Sequence, residues 1–574
     1  MLGRLKVATP PMSVRYGRAR LIRQIALLVL VGVVGFFTVY PILLLIVSSF
    51  RPPIAEGAFS LSAYHTAFGD PRIFPSLANT FILAVIRTAL SMSFAIFFAW
   101  VVTRTNVPMR AFIEFMLWMS FFLPSLPETL SWILLLDPRF GIINTFLRDA
   151  VGISPFNIYS YEGIIWAHLA GSTSIRFLLI TPAFRTMDAS LEEAARVSGC
   201  SNFKTLLRIT VPILAPAILV SASLGFIKAL EAFETELVLG GRAGLEVFST
   251  TIYFFISREP ARYEPAMALS TVFLVTIFGL VWLQRVLLGN RQYTTISGKG
   301  YSPRRADLGI WKWLIFAFCM LWVTILVVLP QVVLLLGTFM RVFGFPDLPH
   351  PWTTAHWTTV LNDSIFLRSV RNTLMLGVIS AVVGALLFSF IAYLIVRERF
   401  VGRSVLEWGT WLPWAVPGIL LSFSLLLIFL GTGGIFLGLY GSIYLLIIAI
   451  IVQTSPVGTH IMRTGLLQVS KELEEVGATS GASRFSVFRT VTFPLIWPSV
   501  IAVSLYIFMN AIRDIANIVF LASPQLRTLA LLTLDYIETG RFEKAFVVGL
   551  ILTGIVITVA LVARVFGMRT GDRD

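Results

Sequence analysis

Long apolar stretches recur along the whole chain, separated by short polar segments. A helix needs roughly 20 consecutive apolar residues to cross a bilayer. These stretches predict about twelve membrane helices, and therefore an all-α integral membrane protein. They cover residues 21–50, 77–103, 111–136, 158–184, 211–230, 267–289, 311–339, 372–396, 405–430, 441–463, 493–513 and 544–566.

The first stretch is too long for the apolar core of a signal peptide, so we expect it to stay in the protein. Composition agrees with a membrane protein, since 57% of the 574 residues are hydrophobic and 13% are charged. A soluble domain carries about a quarter charged residues. Cys200 and Cys319 are the only cysteines, which argues against a disulfide framework or a cysteine metal site.

Positive charge is concentrated in alternate loops. The net charge is +15, and Lys and Arg flank membrane helices on the cytoplasmic side. If the basic N-terminus is inside, the loops after helices 2, 4, 6, 8 and 10 are inside too, and all of them are basic. The charge therefore indicates topology rather than nucleic-acid binding, with both termini cytoplasmic. By the same parity, the acidic stretch of Glu231, Glu234 and Glu236 falls on the outer side of the membrane.

The chain contains two copies of one unit. Asn79-Thr80 and Arg104 match Asn372-Thr373 and Arg397 at an offset of 293 residues. Further along, Glu192-Glu193, Gly199 and Pro212 match Glu474-Glu475, Gly481 and Pro494 at an offset of 282. Six helices per copy make these parallel repeats. The predicted organisation is an N-terminal tail (1–20), a first repeat (21–289), a linker (290–310), a second repeat (311–566) and a C-terminal tail (567–574).

The most informative segment, residues 188–201, follows the fourth helix. Its pattern is typical of a short helix, a break at glycine and a second short helix. Ser190 and Glu193 have the S-x-x-E spacing of a capping box. Glu192 and Glu193 fall in the first turn, where carboxylates complement the helix dipole. We therefore expect a sharply started cytoplasmic helix.

The remainder of this segment favours contact with a partner. Ala194 and Ala195 leave a smooth patch that another protein can approach closely, and Gly199 suits the left-handed conformation that ends a helix. The second copy has Ser470 as a candidate cap. It then continues with Glu474, Glu475, Val476, Gly477 and Gly481.

One such segment alone would equally suit an ordinary cytoplasmic loop, but two copies in equivalent places favour a shared function. The pattern resembles the E-A-A-x-x-x-G loop of ABC importer permeases, which docks into a cleft of the ATP-hydrolysing subunit. Glu193-Ala194-Ala195 and Gly199 carry the motif in the first half. Glu475-Val476-Gly477 and Gly481 carry it in the second, where the departure at Val476-Gly477 still leaves small residues.

The resemblance implies the type I ABC importer permease fold in a bacterial inner membrane. It also implies two copies of an ABC ATPase subunit and a periplasmic or extracellular substrate-binding protein as partners. ATP is then hydrolysed by the partner subunits, and this chain binds no cofactor or metal. Gly298-Lys299-Gly300 lacks the Ser or Thr and the upstream glycine of a phosphate-binding loop, so we expect no enzymatic activity.

The size and order of the chain resemble the fused double permeases of the iron(III) and thiamine importers. Residues 233–241 and 249–253 are similar to the outer loop after helix 5 in the iron(III) type, and residues 512–515 to its second half. This resemblance favours iron(III) as substrate, with thiamine, polyamines and other small solutes as alternatives.

Two other classes of protein fit less well. A secondary transporter also has twelve helices and parallel halves, but it usually shows ion-coupling acids near the midplane, whereas the charges here are expected mainly in loops. A membrane enzyme would need a clustered catalytic constellation, and the five histidines and two cysteines form none.

Glu128 is the carboxylate of most interest inside a predicted helix. A charged group at that depth costs a few kcal/mol, so it should face protein or water. Because Glu128 follows Pro127, it marks either a helix break or a residue of the transport pathway. His168 and His460 are isolated in or beside helices, which favours packing or hydrogen bonding over a ligand role.

Overall fold

The computed structural model describes residues 12–51, 59–153, 156–288, 305–345, 348–431, 439 and 441–566. Helices dominate these ranges, and the only extended pairings within them are two isolated bridges. The all-α prediction is confirmed. Most of the predicted tails and linker, namely residues 1–11, 289–304 and 567–574, lie outside the described residues.

Each of the twelve predicted helices has a counterpart, here called spans 1 to 12. Nine are single helices, and three are pairs that form one span each if counted together, all within the described ranges. The single helices are span 2 (Ile73–Arg104), span 4 (Tyr161–Thr186), span 5 (Asn202–Leu230), span 6 (Tyr263–Leu288), span 7 (Trp311–Gly337), span 8 (Ser364–Arg397), span 10 (Ile443–Leu467), span 11 (Phe488–Arg513) and span 12 (Phe542–Phe566). The pairs are span 1 (Met12–Thr38 with Tyr40–Phe50), span 3 (Arg110–Phe122 with Ser125–Leu136) and span 9 (Arg403–Ala415 with Gly418–Gly431).

Spans 3 and 9 are sharply bent, by 104° and 114°. The bend lies at Leu123 in the first half and at Val416 in the second, and both residues have extended backbone. Each precedes a proline, which disfavours helical conformation in the residue before it. Pro127 therefore does not break the helix that holds Glu128. It lies in the first turn of that helix, where a missing N–H costs nothing.

Shorter helices fill segments that the hydrophobic pattern assigned to outer loops. Phe248–Ser257 and Leu529–Glu538 are two equivalent apolar helices of ten residues each, mostly buried. Ile142–Val151 is another helix of ten residues. They were not predicted because a helix of ten residues is too short to cross a bilayer.

The two halves interlock. Within each half, span 2 packs on span 4 and span 8 packs on span 10. Across the halves, span 1 packs on span 9, while the second half of span 7 and span 12 pack on the second helix of span 3. Most buried apolar residues form one core that runs through both repeats.

Candidate functional site

The first candidate docking loop turns at Gly199. The helix Ser190–Val197 is followed by Gly199, which has a φ of +86°, and the next helix begins at Asn202. The N–H of Cys200 donates to the carbonyl of Ala195 at 3.0 Å, closing the turn. The predicted left-handed glycine is therefore present, and a β-carbon on it would meet nothing within 4 Å.

The second candidate docking loop has the same construction. The helix Lys471–Thr479 is followed by Gly481 with φ of +81°. Here the N–H of Ala482 donates to the carbonyl of Gly477 at 3.2 Å. Ser470 precedes this helix, and its Oγ accepts from the N–H of Glu472 at 3.2 Å, so the candidate cap is confirmed.

The predicted capping box of the first loop is wrong. Ser190 is the first residue of the helix rather than its N-cap. The N-cap position is taken by Ala189, which makes no side-chain capping hydrogen bond. Asp188 takes over instead, since its Oδ1 accepts from the N–H of Ser190 at 2.9 Å. Hydrogen bonds from the backbone and side chain of Ser190 hold the pKa of Asp188 below its usual range. The S-x-x-E spacing was misleading because the helix starts at Ser190, one residue earlier than that motif requires.

Glu192 is the buried anchor of the first loop. It is 4% exposed, and the Thr210 hydroxyl donates to its Oε1 at 2.6 Å. The Arg104 Nε lies 3.6 Å from its Oε2. Arg104 also donates through Nη2 to the carbonyls of Phe184 and Met187, both at 2.7 Å. The end of span 2 is thereby tied to both the end of span 4 and the loop helix.

Glu474 repeats this anchor in the second half. Arg397 donates to its Oε1 at 3.0 Å, and Thr492 donates to the same oxygen at 3.1 Å. Arg397 further donates to the carbonyls of Leu466 and Val469, at 3.3 and 2.7 Å. All of these contacts fall on matched repeat positions. The sequence repeat identified Arg104 and Arg397 as equivalent positions, and likewise Glu192 and Glu474. It did not predict that each arginine contacts the glutamate of its own half.

The remaining motif residues are accessible to different degrees. Ala194, Gly199, Glu475, Val476 and Gly481 are exposed, whereas Glu193, Ala195 and Gly477 are half-buried. Apolar side chains next to them also reach solvent, and Val197 is 89% exposed. The loops thus present small and apolar groups outward, while Glu192 and Glu474 turn inward.

A cavity of about 320 Å³ that contains several charged side chains lies within the first half and borders the end of span 11. Glu128 lines it from span 3, and Arg513 lines it from span 11. Glu128 is buried, as expected for a carboxylate in contact with protein or an internal cavity. Its role in a transport pathway stays a prediction.

The acidic stretch after span 5 also contributes to this buried region. Glu231 pairs with Lys228 at 2.6 Å, and Glu234 accepts a hydrogen bond from Ser125. Glu236 is 2% exposed and lies within a helical turn. His168 bonds Glu236 at 2.9 Å, which confirms its predicted hydrogen-bonding role.

Two arginines in the middle of spans, Arg87 and Arg176, are functional candidates that the sequence analysis did not select. Both line the cavity and both are buried. They are exceptions to the expectation that charges lie mainly in loops. Their signal was available, because an ionisable residue inside a membrane helix is by default a functional hypothesis.

The family model of binding-protein-dependent transport system inner membrane components matches residues 91–290 and again residues 385–571. The chain is 28% identical over 554 residues to the ferric transport system permease protein FbpB of Actinobacillus pleuropneumoniae, covering 93% of this chain and 77% of the relative. It is 27% identical over 518 residues to the putative ferric transport system permease protein FbpB 1 of Haemophilus influenzae, covering 88% and 78%. A crystal structure of a bacterial ABC transporter involved in the import of the acidic polysaccharide alginate matches 45% of this chain and 96% of its own, with a TM-score of 0.38 and 18% identity.

Proposed function

The chain belongs to the family of binding-protein-dependent transport system inner membrane components, and we propose from this premise that it imports iron(III) using ATP hydrolysed by separate subunits. It is a multi-pass permease subunit of an ABC importer. The finer proposal has two parts, which are the coupling to ATPase subunits and the identity of the substrate.

The duplicated docking loop is the observation that carries the coupling. Each loop presents small and apolar residues outward, turns at a left-handed glycine and is tied inward to span 2 or span 8 through a glutamate. Two such loops suit one ATPase subunit each. An ATPase that moves either loop would pull directly on a membrane span.

Iron(III) as the substrate is supported by the two relatives named as ferric transport permeases, which match most of the chain. Thiamine and polyamines are the alternatives within the same class. We also propose that a substrate-binding protein outside the membrane delivers the cargo, and that both termini of the chain lie in the cytoplasm.

A secondary transporter is the remaining alternative class, and the buried charges of the first half are the observation in its favour. Those charges could couple to an ion gradient. The docking loops would have no purpose in such a carrier, so we favour the ATP-driven importer.

Uptake by sealed vesicles tests both parts. The chain is reconstituted with its ATPase and binding protein, and uptake of radioactive iron(III) is measured with ATP inside, with ADP inside, and with a proton ionophore. We expect uptake that requires ATP, ignores the ionophore and is not reduced by excess thiamine or spermidine. Uptake that ignores ATP and stops with the ionophore would instead identify a secondary transporter.

A further inference from the structure

Arg176 in span 4 is a buried cation for which the described residues provide no counter-ion. Its side chain is 2% exposed. Its Nη1 donates to the carbonyl of Ser172 at 2.9 Å and its Nη2 to the hydroxyl of Thr88 at 3.1 Å, and both oxygens are neutral. Its Nε has no hydrogen-bond partner. A charged group near the middle of a membrane helix costs at least about 2.5 kcal/mol, so a cation kept there needs a reason.

Arg87 lines the same cavity as Arg176, and it directly precedes Thr88, which accepts a hydrogen bond from Arg176. Arg87 pairs with Glu236 at 3.1 Å, and its Nε also has no hydrogen-bond partner. Glu236 also contacts His168, so a single carboxylate is in contact with both Arg87 and His168. The wall formed by spans 2 and 4 is therefore positively charged.

The other charges around the cavity are already in contact with other groups. Lys228 pairs with Glu231, Glu234 accepts from Ser125, and Arg513 donates to the carbonyl of Phe121 at 2.8 Å. Glu128 faces the cavity from span 3. Within the described residues, the ion pairs that the cavity carboxylates form do not include Arg176.

Both guanidinium groups adjoin open space. The cavity that they line has a volume of about 320 Å³, which is enough for roughly ten water molecules at about 30 Å³ each. Span 5 makes room for Arg176 through Gly225, because a β-carbon there would lie only 2.6 to 2.7 Å from the guanidinium atoms. The space is thus large enough for a small ion with part of its hydration shell.

The second repeat provides an internal control. The offsets that match Arg104 with Arg397 and Glu192 with Glu474 place Ser380, Gly458 and Ile507 at the positions of Arg87, Arg176 and Gly225. Gly458 packs against Phe388, and Ile507 is fully buried in the apolar core. Spans 8, 10 and 11 therefore form without any of these charges. The fold itself does not require Arg87 or Arg176.

We propose that Arg176, with Arg87 beside it, binds the anionic part of the cargo, namely a small oxyanion that travels either alone or as a ligand of iron(III). A guanidinium presents a planar set of donors that matches the oxygens of such anions. Because Arg176 has no counter-ion, it disfavours a bare trivalent cation beside it and attracts an iron(III) complex whose ligands carry negative charge. This inference rests on the proposed function and specifies what enters the cavity.

Equilibrium binding to the purified chain, assembled with its ATPase subunits in lipid nanodiscs, tests the proposal. The probes are radioactive phosphate alone, and the same phosphate with an equimolar amount of radioactive iron(III). Arg176→Met is compared with Arg176→Lys, which keeps the charge but not the planar fork. Arg185→Met is the matched control, because Arg185 is on the same span but is partly exposed and paired with Glu114.

We expect Arg176→Met to weaken phosphate binding at least tenfold, Arg176→Lys to weaken it less, and Arg185→Met to leave it unchanged. Binding of phosphate without iron(III) identifies a free oxyanion as cargo, whereas joint, equimolar binding of both labels identifies an iron(III) complex. If Arg176→Met does not assemble, Gly225→Ile serves instead. It introduces the residue of the second repeat into the space of the guanidinium and should cause the same loss.

The proposal is overturned if the unmodified protein binds phosphate under neither condition, or if neither Arg176→Met nor Gly225→Ile changes the affinity. ATP-dependent iron(III) uptake measured on the same preparation separates this outcome from failure of the proposed function. Intact uptake without phosphate binding would refute the oxyanion site and leave the proposed function standing.

Discussion

Gly199 and Gly481 have nearly the same positive φ, and open space surrounds the position of a β-carbon at each. The cost of a side chain at either glycine is therefore backbone strain alone, about 1–2 kcal/mol for a residue in the left-handed region. That strain falls on an exposed loop and not on the membrane core. It would tilt the helix that we propose to dock on the ATPase.

We expect Gly199→Val and Gly481→Val to lower ATP-driven uptake about 5- to 30-fold while membrane abundance stays near normal. The first substitution should be the more severe, because Glu193-Ala194-Ala195 matches the docking motif fully and Glu475-Val476-Gly477 does not. Uptake per mole of protein is the measurement.

Gly152→Val is the matched control for these variants. Gly152 also has positive φ with nothing within 4 Å, but it ends the helix Ile142–Val151, far from either docking loop in sequence. Normal uptake by both loop variants would show that the loops do not couple transport to ATP.

Glu192 and Glu474 show what a sequence leaves open at the residue scale. Both were assigned to the docking surface with their neighbours, yet both turn inward to an arginine that is distant in sequence. Which of two adjacent glutamates faces inward depends on where the helix starts, and the capping motif placed that start one residue too late.

We expect Arg104→Gln to destabilise the chain by roughly 3–5 kcal/mol, because it leaves the buried Glu192 without its counter-ion. The double variant Arg104→Gln with Glu192→Gln should recover part of that loss. Arg397→Gln should cost less, since Glu474 is 13% exposed and partly solvated. Thermal unfolding in detergent measures all three. Equal losses in the single and double variants would contradict a coupled pair.

Spans 2 and 8 are held at both ends, which makes them the elements that connect the docking loops to the opposite end of the molecule. At that opposite end, the N–H of Phe248 donates to Thr80 at 2.9 Å, and the N–H of Leu529 donates to Thr373 at 2.8 Å. Thr80 and Thr373 therefore bind the starts of the helices Phe248–Ser257 and Leu529–Glu538. The repeated Asn-Thr pairs were visible in the sequence, but their partners lie more than 150 residues away.

We expect Thr80→Val to loosen the helix Phe248–Ser257 by about 1 kcal/mol, which is the usual net value of one hydrogen bond. Hydrogen exchange of the Phe248 amide should then speed up about fivefold. Thr103→Val is the control on the same span, since the Thr103 hydroxyl bonds only the carbonyl of Ala99 in its own helix. Unchanged exchange in Thr80→Val would contradict this connection.

The length of an apolar stretch predicts where a span lies, but it does not predict whether that span is bent. The twelve stretches were found because each exceeds the thickness of a bilayer, a property that depends on composition alone. The bends of spans 3 and 9 depend on which proline breaks the helix, and several prolines were available. The two short apolar helices were missed because their burial comes from packing on spans 2 and 6 and on spans 8 and 12, which run length does not reveal.

At the scale of the whole molecule, the two repeats share the docking loops but differ in their buried charges. The docking loops and their anchors occur in both halves, and the prediction of two repeats in a permease fold is confirmed by the family that matches twice. The buried Arg87 and Arg176 occur only in the first half. A search for similarity between the halves could not reveal them, because they are where the halves differ.

Membrane topology is a second expectation at this scale. After the native cysteines are replaced, Ser198→Cys and Ser480→Cys should resist an impermeant thiol reagent in intact cells, because both loops are predicted to be cytoplasmic. Asp149→Cys on the helix Ile142–Val151 should react, since that exposed position is predicted to lie outside. Strong labelling of either loop would reverse the assigned orientation.

The mass of the intact complex tests the central claim most directly, because two equivalent docking loops require two ATPase subunits on one chain. Native mass spectrometry of the chain released from the membrane with its ATPase should give one chain with two ATPase subunits, and the chain purified alone should hydrolyse no ATP. Gly199→Val should shift part of this population to one chain with a single ATPase subunit. A complex that never exceeds one ATPase subunit per chain would contradict the account.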